Sequence, residues 1–147
     1  MDMTMPMTST IKAIFFDIDG TLVSFKTHQI PPSTLEALKK LRENGIQLFI
    51  ATGRGKDGLD VLDHFEFDGY ITLNGQYCYT KDELIYENTI IKDDLVTLLE
   101  EVEKHPFPCG FTLENTKYFN YRDERVDEIH EITHNDDHLA GDCSNVV

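Results

Sequence analysis

The strongest constraint on the fold of this sequence is a short apolar segment that ends at a pair of aspartates. Ile11–Phe16 is almost continuously apolar, and Asp17, Asp19 and Gly20 follow it directly. A run of this length and composition is typical of a strand that is buried on both faces, as in a parallel sheet. The sequence therefore predicts a buried first strand that leads two carboxylates into a turn.

The segments after this strand predict an alternation of helices and strands. Ser33 and Glu36 form a capping-box pattern ahead of leucines at helical spacing, and Asn44 and Gly45 predict the end of that helix. Three further elements are predicted from their apolar patterns: a strand at Ile46–Ala51, a short helix around Asp57–His64 and a strand at Tyr70–Leu73. This order favours a parallel α/β sheet with right-handed connections.

After residue 75 the pattern changes to hairpins and helices. Two hairpins are predicted, one from Gln76–Thr80 and Leu84–Asn88, the other from Cys109–Leu113 and Lys117–Tyr121. Residues 92–104 carry apolar side chains at helical spacing and predict a helix. Val126, Ile129 and Ile132 predict a last helix with one apolar face directed inward.

Charge and the length of the apolar stretches exclude several classes of partner, and the cysteines indicate the compartment. The net charge is −14, with 7 basic and 10 acidic residues in 1–80 but 6 and 17 in 81–147. The acidic second half would repel nucleic acid and anionic lipid, and no apolar stretch approaches the roughly 20 residues of a membrane span. The three unclustered cysteines, Cys78, Cys109 and Cys143, predict free thiols in a reducing, cytoplasmic compartment.

Polar residues follow each of the three predicted parallel strands, where open sheets of this kind bind ligands. These clusters are Asp17–Thr21, Thr52–Arg54 and Asn74-Gly75. Asp17 and Asp19 are two residues apart, so in an extended segment both carboxylates point to one side and need a cation or a proton between them. A hard cation such as Mg²⁺, completed by water and phosphate, fits that requirement. Gly20 frees the backbone for a sharp turn, and Thr52 and Arg54 offer a hydroxyl and a positive charge to an anion.

These residues carry a resemblance to a known family. Phe15–Leu22 (FFDIDGTL) resembles the first motif of the haloacid dehalogenase-like (HAD) hydrolases, and Phe49–Arg54 (FIATGR) resembles their second. The motif spacing and Leu73–Gly75 (LNG) are similar to the Cof-type phosphatase branch, in which an α/β cap follows the third strand. The resemblance implies an α/β fold, a Rossmann-like parallel sheet of the HAD type with an α+β cap.

The resemblance also implies a phosphatase mechanism and a set of site residues. Asp17 would attack phosphorus to form an aspartyl-phosphate, Asp19 would act as general acid and then general base, and Thr52 would hold a phosphoryl oxygen. Mg²⁺ would bind the Asp17 carboxylate and the Asp19 backbone carbonyl. Further residues expected to contact the phosphate or substrate are Gly20, Thr21, Gly53, Arg54 and Asn74. The expected partner is a small phosphorylated metabolite.

The C-terminal part of the sequence departs from the family pattern. The family's third motif is a lysine, for which this sequence offers no candidate, and its fourth is an acidic cluster that Gly141–Asn145 matches only in part, through Asp142. We therefore expect residues 1–10 to be a disordered leader, 11–82 to be the N-terminal part of the core, and 83–147 to be a partial cap with an irregular tail.

Two consequences are expected from an incomplete core. Without a later strand beside the first one, Ile11–Phe16 would leave an open apolar sheet edge, so the chain is expected to self-associate or to be poorly stable. Phosphatase turnover is expected to be weak or absent, because the lysine and the last acidic ligand are missing.

Two other functions remain open from the sequence alone. A non-catalytic module that binds phosphate or Mg²⁺, or accepts a phosphoryl group, needs the strand-end aspartate but no leaving-group acid. His130-Glu131-Ile132-Thr133-His134 is an HExxH pattern, in which the two histidines would bind Zn²⁺ and Glu131 would act as the base of a peptidase. A solvated helix with scattered histidines explains that pattern more simply.

Overall fold

The computed structural model describes residues 11–113, 116–120 and 123–133, and these form two compact units. The first unit comprises the described residues up to Gly53 together with Asp60–Tyr86, and the second comprises Arg54–Leu59 and the described residues from Glu87 onward. The expected leader at 1–10 and the expected tail with Asp142 lie outside the described residues. The division between residues 82 and 83 stays a prediction.

The first unit is built on a five-stranded sheet in which the strands follow one another in sequence order. The strands are β1 (Ala13–Phe16), β2 (Gln47–Ala51), β3 (Gly69–Thr72), β4 (Tyr77–Tyr79) and β5 (Leu84–Glu87). β1, β2 and β3 are parallel, and β4 pairs with β3 in the antiparallel direction. The predicted parallel strands and the first predicted hairpin are confirmed. The short helix between β2 and β3 is a 3-10 helix, Lys56–Leu62.

Helix α1, Pro32–Glu43, begins earlier than the capping-box prediction requires. Pro31 occupies the N-cap position, and no side chain caps the helix, so the prediction of Ser33 as the cap is wrong. Pro32 explains the difference, because its fixed φ suits the first helical position and its missing N–H would have had no partner there. Ser33 consequently lies inside the first turn.

The predicted end of α1 is confirmed. Asn44 is the C-cap residue and Gly45 adopts a left-handed φ of +76°. The Gly45 N–H donates to the Arg42 carbonyl at 2.9 Å, and the Ile46 N–H donates to the Leu41 carbonyl at 3.1 Å. This pair of hydrogen bonds is a Schellman motif, which satisfies carbonyls that the end of a helix leaves without partners.

The two faces of the sheet are buried unequally. Leu48 and Ile50 of β2 are fully buried, and so is Leu38 of α1, which packs on that strand. On the opposite face, Phe15 and Phe49 stack with ring centroids 4.8 Å apart, but Phe15 is 56% exposed. The prediction that β1 is buried on both faces is therefore wrong. Within the described residues β1 is an edge strand with β2 as its neighbour, so less protein surrounds its side chains.

The second unit contains the helix, hairpin and helix that the sequence predicts. Its elements are α2 (Lys92–Lys104), the antiparallel strands β6 (Gly110–Leu113) and β7 (Thr116–Phe119), and α3 (Glu124–Thr133). In α3, Val126 is buried, but Ile129 is 57% exposed and Ile132 is 68% exposed, so the prediction of a shared inward face is wrong. At 3.6 residues per turn, each step of three residues rotates the side chain by about 60°, which moves Ile132 away from Val126.

The structure bears on two predictions from composition, which concern the cysteine thiols and membrane-spanning segments. Cys78 and Cys109 are free thiols, and burial raises the pKa of Cys109, whereas Cys143 is outside the described residues. Among the helices that the structure describes, none has the length and hydropathy that crossing a bilayer requires.

Candidate active site

The carboxyl ends of β1, β2 and β3 lie along one edge of the first unit's sheet. In the parallel register Phe16 pairs with Ile50, so Asp17 directly follows the last paired residue of β1. Thr52 lies two residues beyond Ile50, and its N–H donates to the carbonyl of Ile71 in β3 at 2.9 Å. The structure therefore brings Asp17, Thr52 and the turn that follows β3 to the same edge.

The loop after β1 is held together by its own backbone. The carbonyl of Ile18 accepts the N–H of Val23 at 2.9 Å, and the Gly20 N–H donates to the Val23 carbonyl at 2.9 Å. Ile18 is fully buried, whereas Asp17 and Asp19 on either side of it are exposed. The alternation anchors the loop in the core by one apolar side chain and leaves two carboxylates accessible to solvent.

Two features of this loop favour glycine at position 20. Its φ of +79° lies in the left-handed region, which side chains other than glycine rarely adopt. A β-carbon at this position would also lie 2.5 Å from the ring of Phe25. Thr21, which is exposed, follows it and donates its N–H to the Ile18 carbonyl at 3.3 Å.

The ends of β2 and β3 are joined through Asn74. Its N–H donates to the Thr52 carbonyl at 3.1 Å. A β-carbon at Gly53 would lie 3.1 Å from the Oδ1 atom of Asn74, so the amide group of Asn74 lies close against that glycine. Thr52 is only 6% exposed, whereas Gly53 and Asn74 are exposed. Three of the predicted site residues thus form one contact cluster.

The turn after β3 has a backbone conformation that the sequence does not predict. Leu73, Asn74 and Gly75 adopt successive positive φ values of 50°, 54° and 92°. A left-handed conformation costs roughly 1–2 kcal/mol for a residue other than glycine, so neighbouring contacts must hold it. The hydroxyl of the fully buried Thr72 donates to the Tyr77 carbonyl at 2.9 Å, which ties the start of the turn to β4.

Arg54 belongs to the second unit, although its neighbour Gly53 belongs to the first. Its side chain is partly buried, and Nη1 donates to the carbonyl of Gly58 at 3.2 Å within the same unit. The structure therefore gives this guanidinium a contact on its own loop, and its role toward phosphate stays a prediction.

The donor set at the end of β1 fits a hard divalent cation. Asp17 and Asp19 provide exposed carboxylate oxygens, and within residues 11–113, 116–120 and 123–133 no group of three His, Cys, Asp or Glu side chains gathers as a metal site. Mg²⁺ commonly uses one or two carboxylates and keeps several waters, so two carboxylates suffice. The alternative zinc site is untested, because His134 and the side chain of His130 lie outside the described residues.

Comparison with known proteins identifies the family. The family model of haloacid dehalogenase-like hydrolases matches residues 14–144. The chain belongs to the haloacid dehalogenase-like hydrolase family. Its mostly parallel sheet agrees with that membership, and the predicted α/β, Rossmann-like fold class is confirmed.

Several members of the HAD family resemble this chain in sequence or structure. The proposed phosphatase YkrA of Bacillus subtilis is 32% identical over 106 residues, which cover 71% of this chain and 41% of YkrA. BT1666 of Bacteroides thetaiotaomicron, from a study of HAD phosphatases, superimposes with a TM-score of 0.81 at 32% identity, covering 97% of this chain and 54% of BT1666. The subclass IIB sugar phosphatase BT4131 superimposes with a TM-score of 0.74 at 41% identity, covering 84% and 49%. The chain thus spans about half the length of these relatives.

Sequence reasoning missed two residues that shape this site. Phe25 packs against Gly20, and Thr72 connects the third strand end to β4. An isolated phenylalanine within the polar segment Ser24–Gln29 was the available signal for the first. Thr72 offered none, because its role depends on the pairing of β3 with β4.

Proposed function

We propose that this HAD-family chain takes part in Mg²⁺-dependent hydrolysis of a small phosphomonoester through an aspartyl-phosphate on Asp17. The main support is the loop after β1, which exposes Asp17 and Asp19 around a buried Ile18. The family relationship supports the same reaction, because BT4131 is a sugar phosphatase and BT1666 comes from a study of phosphatases.

The proposed reaction has two steps. The Asp17 carboxylate attacks phosphorus, the bond from phosphorus to the ester oxygen breaks, and Asp19 gives its proton to the departing oxygen. Asp19 then takes a proton from water, the water oxygen attacks phosphorus, and inorganic phosphate leaves as the Asp17 carboxylate is restored. Asp19 is protonated before the first step and ionised after it. The same carboxyl group can therefore act as the acid in the first step and as the base in the second.

Other residues of the same edge would bind the phosphoryl group and the cation. Thr52 would donate its hydroxyl to a phosphoryl oxygen, and Gly20, Thr21 and Gly53 would bring backbone N–H groups close to it. The Asp17 carboxylate and the Asp19 carbonyl would hold Mg²⁺. When bound, Mg²⁺ supplies positive charge that offsets the repulsion between a carboxylate and a phosphate.

The proposal is tested by phosphate release from p-nitrophenyl phosphate with purified protein. We expect slow release that requires Mg²⁺ and that falls to the background rate in Asp17→Asn, because an amide is a poor nucleophile. Asp82→Asn is the matched control, since Asp82 is an exposed aspartate in the hairpin turn of the same unit.

Two outcomes would contradict the proposal. Undiminished release by Asp17→Asn would remove Asp17 from the mechanism. Calorimetric binding of Mg²⁺ without any release by the wild-type protein would instead favour the non-catalytic phosphate-binding or phospho-acceptor module.

We also propose that β1 mediates self-association in the cytoplasm. Within the described sheet β1 has β2 as its strand neighbour, and Phe15 is 56% exposed there. An edge strand with apolar side chains offers a template for pairing with another chain. Light scattering should show assemblies larger than a monomer that diminish in Phe15→Lys; a monodisperse wild-type monomer would refute this.

A further inference from the structure

Phe25 is the most exposed large apolar side chain among the described residues, at 69%. Burying such a side chain contributes roughly 1.5–3 kcal/mol, and here most of that contribution is forgone. A single exposed apolar residue is ordinary on a protein surface. The position of Phe25 distinguishes it, because its ring rests on Gly20 in the loop that carries both site aspartates.

The segment that carries Phe25 has a defined backbone. The Ser24 N–H donates to the Gln29 carbonyl at 3.3 Å, and the His28 N–H donates to the Ser24 carbonyl at 2.8 Å. The Ser24 hydroxyl oxygen accepts the Lys26 N–H at 3.2 Å. These hydrogen bonds close a compact loop, so the ring is presented by a folded element.

The contact with Gly20 limits how far the ring lies from the candidate site. A β-carbon on Gly20 would lie 2.5, 3.1 and 3.4 Å from three ring atoms of Phe25. Gly20 directly follows Asp19, the residue proposed to protonate the leaving group. The aromatic ring that packs against this glycine therefore lies one residue along the loop from the proposed general acid.

We propose that Phe25 is a specificity-determining residue that contacts the leaving group of the substrate and favours one with a flat apolar face, such as an aromatic ring. This inference rests on the proposed phosphatase function, because it places the leaving group beside Asp19. Aromatic rings pack in offset or edge-to-face arrangements that contribute about 0.5–1.5 kcal/mol, which corresponds to roughly two- to tenfold in affinity.

A fluorescence experiment tests the contact without requiring turnover. The chain contains no tryptophan, so Phe25→Trp introduces a single indole reporter. Benzylphosphonate and methylphosphonate, which resist hydrolysis, are titrated in the presence of Mg²⁺. Phe15→Trp is the matched control, because Phe15 is also an exposed phenylalanine of the first unit but lies in β1.

The expected result is a change in indole emission with benzylphosphonate in Phe25→Trp and none in Phe15→Trp. Methylphosphonate should bind about two- to tenfold more weakly and change the emission less. Equal responses to both phosphonates, or none to either, would overturn the proposal. These readouts are independent of phosphate release, so failure of Asp17 as the nucleophile would be recognised separately.

Kinetics provide a second test when turnover is measurable. Phe25→Leu keeps an apolar contact with Gly20 but removes the aromatic face. We expect it to raise KM for phenyl phosphate about two- to tenfold, with kcat and the KM for glycerol phosphate nearly unchanged. Equal loss with both substrates would show that Phe25 only supports the loop, and would overturn the specificity assignment.

Discussion

The loops that follow β1 and β3 lie at the same edge of the sheet but differ in how their backbone conformations are stabilised. After β1, the positive φ of +79° falls on Gly20, and the loop closes through its own hydrogen bonds. After β3, positive φ values fall on Leu73 and Asn74 as well as on Gly75. The loop after β1 thus has the residue that its conformation favours, whereas the turn after β3 imposes a left-handed conformation on Leu73, which does not prefer it.

The loop after β1 and the turn after β3 therefore depend on different contacts to keep their shapes. The loop after β1 should keep its shape as long as Ile18 remains buried. The turn after β3 should keep its shape only while Thr52 accepts the Asn74 N–H and β4 accepts the Thr72 hydroxyl. Strain held by neighbours in this way is common where a backbone is pre-organised for binding.

The largest effect is expected from a matched pair of glycine variants. Gly20 and Gly45 have similar φ values of +79° and +76°, but only at Gly20 would a β-carbon meet a neighbour within 4 Å. Both alanine variants should lose about 1–2 kcal/mol of unfolding free energy because of the left-handed φ, and Gly20→Ala should lose somewhat more because the exposed Phe25 ring must move aside.

Urea unfolding measures both variants of this pair. Equal losses would show that the contact between Phe25 and Gly20 is too loose to matter, and would weaken the assignment of a role to that ring. Phosphate release should fall in Gly20→Ala and not in Gly45→Ala, since only Gly20 lies beside the site aspartates.

A smaller effect is expected at Asn74. Asn74→Ala should lower the unfolding free energy by about 1 kcal/mol, because alanine adopts a left-handed φ less readily than asparagine. Asn74→Gly should change it by less than about 0.5 kcal/mol, since glycine accepts that conformation. If the amide group against Gly53 positions the site, both variants should lose phosphatase activity to a similar degree; full activity in Asn74→Gly would limit the role of Asn74 to its backbone.

The smallest effect on stability is expected at alkaline pH, and it comes from Tyr79 in β4, the strand that pairs with β3. Burial, with contributions from Tyr70 and Tyr77, raises the pKa of Tyr79 in β4 to about 12, from 10.0. The unfolded chain therefore loses this proton first, so stability is retained below pH 10 and declines between pH 10 and about 12. Tyr79→Phe should flatten this part of the pH profile measured by chemical unfolding, and an unchanged profile would contradict the assignment.

The fold could be predicted where local pattern determines it. The apolar run before Asp17, the Asn44-Gly45 helix end and the hairpin around residues 81–83 each carry their signal within a few residues. The exposure of Phe15 could not be predicted, because it depends on which elements surround β1, whereas the exposure of Ile132 follows from helical geometry that the sequence interpretation did not apply.

The candidate site was predictable to a similar extent. The paired aspartates and the glycine after them are a local pattern, so their place on an exposed turn follows from the sequence. The contact between Gly53 and Asn74 joins two segments that meet only because β2 pairs with β3, and the left-handed φ of Leu73 opposes its intrinsic preference. Neither leaves a signal in the residues themselves.

The central claim is that Asp17 accepts the phosphoryl group, and trapping that intermediate tests it most directly. Protein mixed with p-nitrophenyl phosphate and Mg²⁺ is quenched in acid, reduced with borohydride and digested for peptide mass spectrometry. We predict a reduced side chain at Asp17 that is absent without Mg²⁺ and absent in Asp17→Asn. Modification at another residue, or none at Asp17 while phosphate is released, would contradict the claim.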